Sequence, residues 1–136
     1  MKFFRAAAAI LLLSLSLVAS VDAEDSVIRL LHINDLHGFA EPYVPYGLKE
    51  QRGGVAWLSA KVSALRKERP SLFLAAGDVI QGNNWTNLSR GRAAVELMNL
   101  MGLDAMVVGN HEFDFGLDVL KKRIAEACFS VLGANV

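Results

Sequence analysis

The sequence predicts an α/β fold on a mainly parallel sheet, in the order β-α-β-α-β-α-β, and three observations carry that expectation. Four short aliphatic runs, over residues 27–33, 71–76, 105–108 and 129–132, have the length and near-continuous apolar character of strands buried in a parallel sheet. Between them apolar residues recur at helical spacing. Each intervening segment is also long enough to hold a crossover, which favours neighbouring strands running the same way. At 136 residues and 53% hydrophobic, the chain has material for one small globular core.

Residues 1–23 follow a different pattern from the rest. Lys2 and Arg5 precede an uncharged run over 6–20, and Val21-Asp22-Ala23 leads into Glu24-Asp25. This reads as a secretory signal peptide cleaved after Ala23, because the apolar stretch falls short of the roughly 20 residues that span a bilayer. The expected location is periplasmic or secreted, without a stable membrane anchor.

The first strand is Val27-Ile28-Arg29-Leu30-Leu31-His32-Ile33, in which His32 reads as a packed or edge residue. A loop with Pro42, Pro45 and Gly47 follows. Val55, Leu58, Val62 and Leu65 then mark a helix that Arg69-Pro70 stops. After the second strand, residues 77–90 are polar and rich in Asn and Gly and read as a loop, with the sequons at Asn84 and Asn87 taken as polar loop positions. Ala94, Leu97, Met98 and Met101 share the face of the next helix, which Gly102 ends, and the methionine pair is expected in the core. The third strand follows, then a helix marked by Leu117, Leu120 and Ile124, then the fourth strand. Cys128, the single cysteine, is expected to be buried and inert among Ala125, Ala127 and Phe129. The chain stops at Gly133-Ala134-Asn135-Val136 directly after a core strand, which reads as a truncated domain with an exposed sheet edge.

Charge excludes one class of partner. The chain has 14 basic and 14 acidic residues, and its longest basic run, Lys121-Lys122-Arg123, is too short to track a phosphate backbone, so no nucleic-acid partner is expected.

Three segments carry the chemistry, each just past a predicted strand, where a parallel sheet gathers its functional loops. In Asp35-Leu36-His37 the two polar side chains are two apart and can offer one oxygen and one nitrogen to the same ion. Asp78 follows Gly77, on a turn with no side chain to crowd a ligand, so that its carboxylate can bridge two metals. Gly109-Asn110-His111-Glu112 supplies a neutral oxygen ligand beside an imidazole free for proton transfer. Asp114, three residues on, can accept the Nδ1 proton of His111 and fix the ring.

These motifs resemble the metal-dependent 5'-nucleotidase family, within the calcineurin-like metallophosphoesterases, and most closely its periplasmic UDP-sugar hydrolase members. The resembling stretches are Leu31-His32-Ile33-Asn34-Asp35-Leu36-His37-Gly38, Gly53-Gly54, Ala76-Gly77-Asp78, Val95-Glu96-Leu97-Met98-Asn99, the block from Val107 to Gly116, and Ala134-Asn135-Val136. Trp57 stands where an arginine is common after the glycine pair.

The resemblance implies a four-layer α/β/β/α sandwich of which residues 24–136 are the N-terminal portion. It implies two divalent ions, of Mn, Zn, Co or Mg, with Asp35, His37 and bridging Asp78 on one and Asp78 and Asn110 on the other. His111 with Asp114 is expected to stabilise the transition state or protonate the leaving oxygen. The substrate implied is a nucleotide or nucleotide sugar.

Because the second ion has only two protein ligands here, that site is expected to be incomplete and the 136-residue chain to have little or no turnover. A sulfate-releasing hydrolase of the same family and a non-catalytic product with a residual metal site are the competing expectations.

Overall fold

The computed structural model describes residues 27–134, so the expected signal peptide lies outside the described residues, as do Asn135 and Val136. Four strands, β1 (Arg29–Ile33), β2 (Ser71–Ala75), β3 (Ala105–Val107) and β4 (Ser130–Leu132), form one parallel sheet in the order β1-β2-β3-β4. The connections hold α1 (Val55–Glu68), α2 (Asn84–Leu88), α3 (Arg92–Met101), a 3₁₀ turn over His111–Phe113, and α4 (Leu117–Glu126). Among the described residues no helix is long and apolar enough to cross a membrane.

Strand alternation sorts the side chains onto two unlike faces. Leu31, Ile33, Phe73, Ala75, Met106 and Val131 face the core, where they meet Val62 of α1 and Ala94, Val95, Met98 and Met101 of α3. The methionine pair is core, as expected. Leu30, Leu72, Val107 and Leu132, from the opposite positions, are exposed. Covering both faces with three helices would have been sparse; instead the helices gather on one face. A sheet that adds its strands in sequence order, by crossovers of one hand, places every helix on the same side. Of four layers, the described residues supply one sheet and one helical layer.

Two readings of the sequence are corrected by packing. Residues 77–90 are more than a loop. Val79 and Ile80 are buried beneath the sheet's C-terminal edge, and α2 follows, its start tied by Thr86, whose Oγ1 accepts Asn83 N at 3.2 Å. Cys128 is exposed rather than buried. Ala127 and Phe129 both pack on the core, and in an extended segment the residue between them must point outward. The backbone there is tied down by Asn99, whose Oδ1 accepts from Cys128 N at 2.7 Å and whose Nδ2 donates to Glu126 O at 2.9 Å.

His32 lies exposed on edge strand β1, and Trp57 projects from α1 into solvent. The layout leaves the C-terminal ends of β1, β2 and β3 side by side on one edge of the sheet.

Candidate metal centre

The loops that leave β1, β2 and β3 are joined to one another through the backbone before any functional side chain is considered. Pairing of β1 with β2 continues past the strands, from Ala76 N to Ile33 O at 2.8 Å, Asp35 N to Gly77 O at 3.2 Å and His37 N to Asp78 O at 2.9 Å. The second and third loops lie in direct contact. A Cβ on Gly77, whose φ is +96°, would sit 2.7 Å from Gly109 N, and a Cβ on Gly109 would collide with Asp78 Oδ1. Both positions therefore require glycine.

Glu112 locks this arrangement from beneath. It is fully buried, and its two carboxylate oxygens accept backbone amides from both the second and the third loop. Oε2 receives Asp78 N and Gly109 N, each at 2.8 Å, while Oε1 receives Val79 N at 2.7 Å and Ile80 N at 3.4 Å. A carboxylate that collects several N–H groups is well matched to its charge, and it satisfies donors that would otherwise be buried without partners. Sequence reasoning quotes Glu112 within its motif but gives it no role.

On this frame stand the residues the sequence singles out. Asp35, His37 and Asp78 all adopt left-handed backbone conformations, with φ of 50°, 45° and 55°. For residues other than glycine that geometry is strained, and it gathers at sites where the surrounding structure over-determines it. Ligand atoms of His37, Asp78 and His111 lie within 4.8 Å of one another. The two imidazole rings meet nearly edge to face, with centroids 5.1 Å apart. Asp35 Oδ1 is 3.7 Å from His37 Nε2. Asn110 begins the 3₁₀ turn and is exposed beside the cluster. His111, expected apart from the metal ligands, thus shares their cluster.

Hydrogen bonds decide which atoms are free. His37 Nδ1 lies 3.0 Å from Gln81 O, and because a carbonyl can only accept, Nδ1 carries the proton and leaves the Nε2 lone pair available. His111 Nδ1 donates to Asp114 Oδ2 at 2.7 Å, the pairing its spacing predicts. Asp78 Oδ1 accepts the His111 backbone N–H at 3.0 Å, which leaves its second oxygen unclaimed. The free Nε2 of His37 and the carboxylates of Asp78 and Asp35, with the His111 ring beside them, make a group suited to a divalent cation. The cluster fits a metal centre.

The hydrogen bond that His111 donates to Asp114 holds the imidazole pKa above its ordinary value of 6.5; partial desolvation opposes it, and the charges of Asp114, Asp78 and Glu112 add to it.

The chain is similar to known proteins over most of its length. The calcineurin-like phosphoesterase family matches residues 28–132. The human 5'-nucleotidase is 37% identical over 137 aligned residues, covering 96% of this chain and 24% of that protein. A snake venom 5'-nucleotidase of Crotalus adamanteus is 41% identical over 123 residues, covering 86% of this chain and 21% of its own length. The crystal structure of a 5'-nucleotidase precursor from Thermus thermophilus superposes with a TM-score of 0.74 at 39% identity, covering 78% of this chain and 22% of that one. The chain thus spans between a fifth and a quarter of the length of these relatives.

Two outcomes are expected from the hydrogen bonds. Replacing Glu112 by Gln turns one acceptor end into a donor facing two backbone N–H groups. It should lower stability by about 1–3 kcal/mol in chemical denaturation of the metal-free chain, whereas an unchanged midpoint would rule out the locking role. Proton NMR of the metal-free chain should show His111 titrating above 6.5, with Asp114→Asn bringing it down. Since the folded value is the higher one, the protonated ring stabilises the fold below the unfolded value, and that contribution disappears as pH rises through the folded value.

Proposed function

The chain belongs to the calcineurin-like phosphoesterase family, and we propose that the protein is a two-metal phosphoester hydrolase acting on nucleotides or nucleotide sugars. The observation that supports this most directly is the meeting of His37, Asp78 and His111 within 4.8 Å at the ends of three adjacent strands.

In this reading Asp35, His37 and Asp78 would hold one divalent ion, and Asp78 with Asn110 would hold the second. Bound ions would offset the charge on the phosphoryl oxygens and lower the pKa of the attacking water. The chain's own groups do the rest. The anchored Nδ1 of His37 keeps Nε2 directed to a ligand role, and the interlocked loops, which hold Asp35, His37 and Asp78 in left-handed conformations, keep the three donors in place without reorganisation. His111, its Nδ1 engaged by Asp114, keeps Nε2 for holding a proton destined for the leaving oxygen or for contact with the phosphoryl group. Mn, Zn, Co and Mg all remain compatible with a set of oxygen and imidazole donors.

Two protein ligands make the second ion weakly held in the 136-residue chain, which on this account has little or no turnover. Export to the periplasm or outside the cell is part of the same proposal, supported by the pattern of residues 1–23 and by the venom relative.

The test is metal-dependent release of phosphate from a nucleoside monophosphate by the whole protein. Asp78→Asn should lower turnover by more than about 100-fold, beyond what loss of an outer-shell partner costs. Undiminished hydrolysis by that variant would sink the two-metal reading, and rapid hydrolysis by the 136-residue chain would sink the expectation of low turnover.

A further inference from the structure

One peptide unit beside the metal cluster is held at both of its ends. The carbonyl of Gln81 accepts the Nδ1 proton of His37 at 3.0 Å. The other end of that unit, the N–H of Gly82, donates to Asn87 Oδ1 at 3.2 Å. Rotating the peptide plane would break both bonds, so the Asn87 side chain and the direction of the Gln81 carbonyl are coupled through this unit.

The surroundings allow no other residue at Gly82, and α2 fixes the backbone of Asn87 while its side chain lies at the surface. Gly82 has a φ of +136°, and a Cβ there would lie 2.6 Å from His37 Cβ and 2.7 Å from His37 O. Asn87 is fixed on the first turn of α2, its own N–H bonded to Asn83 O at 2.8 Å. That turn is seated in the core by Thr86, which is fully buried and whose Oγ1 bonds Asn83 O at 2.8 Å. Thr86 also packs so closely on Gly38 that a Cβ on Gly38 would overlap Thr86 Cγ2 at 2.5 Å. The His37-Gly38 dipeptide is therefore gripped from two sides by one short segment, residues 81–87.

We propose that Asn87 and Gly82 are positioning residues that fix the ring tautomer of His37, so that the neutral imidazole presents Nε2 as its metal-binding atom. A neutral imidazole has two tautomers of similar energy in water, and a hydrogen bond on one nitrogen selects between them. Hydrogen bonds in sequence through a peptide unit polarise one another, which strengthens the selection. The amide of Asn87 thereby gains a role that its place in a sequon does not suggest. The inference rests on the reading of His37 as a metal ligand, and its test separates the two.

Nitrogen-resolved NMR of the metal-free chain, at a pH where imidazole is neutral, reports which ring nitrogen carries the proton. His37 should show a protonated Nδ1 in the unaltered chain and in Asn87→Asp, which keeps an acceptor oxygen in place. Asn87→Leu and Gly82→Ala should each shift the ring toward a mixture of tautomers. Mn²⁺ titrated alone into the same samples should bind about 10–100-fold more weakly to those two variants, the usual cost of losing an outer-shell partner. Amide spectra identify which variants stay folded. A folded Asn87→Leu or Gly82→Ala with the unaltered tautomer and unaltered Mn²⁺ affinity overturns the inference. Absence of Mn²⁺ uptake by the unaltered chain overturns the ligand reading instead, while the ring still reports on Asn87.

Discussion

The buried carboxylate of Glu112 is the interaction on which the site depends. Two loops that follow different strands turn their backbone N–H groups inward at the same point, and neither can satisfy those donors alone. Glu112 accepts from Asp78 and Val79 of one loop and from Gly109 of the other, so that each loop's conformation is conditional on the other's. The first loop joins through its backbone bonds to Gly77 and Asp78. A frame of this kind resists collapse even though it carries several acidic groups close together, because the negative charge underneath is answered by amide dipoles rather than by a competing cation.

That frame explains how the strained backbone can persist. Left-handed conformations at Asp35, His37 and Asp78 cost roughly 1–3 kcal/mol each when unsupported, and the interlocking loops supply the support. The strain has a geometric purpose. A strand sends alternate side chains to opposite faces, and the left-handed residues just beyond β1 and β2 redirect those two chains, letting their donors converge with the 3₁₀ turn after β3 above the sheet edge. The glycines at 77 and 109 serve the same end by letting the loops touch. Segment 81–87 adds a second layer of support on the His37 side.

Much of the fold is legible in the sequence, and the reasons are local. Each strand shows as a short aliphatic run, and the observed bounds fall within two residues of the expected ones. Asp35, His37, Asp78, Asn110 and His111 stand out because ligand-type residues recur directly after three successive runs, and the three-residue spacing of His111 and Asp114 forecasts their hydrogen bond. What escapes the sequence depends on the direction in which side chains turn. Glu112 looks like one more acid beside a histidine, and only the 3₁₀ turn rotates it into the core. Asn87 acts across five residues through a loop whose path cannot be read from spacing. Cys128 is apolar in company but outward by alternation. The gathering of all helices on one face follows from strand order, which a list of elements does not contain.

Three loops, locked by one buried carboxylate, bring His37, Asp78 and His111 together in a cluster that fits a single cation. The most direct measurement is the loss of amide signals in a nitrogen-15 spectrum of the chain as substoichiometric Mn²⁺ is added, since the paramagnetic ion broadens its nearest neighbours first. Amides at residues 35–38, 77–78 and 109–111 should vanish together and before all others. Loss that begins at exposed acids such as Glu41, Glu50 or Glu68, with those three loops unaffected, would contradict it.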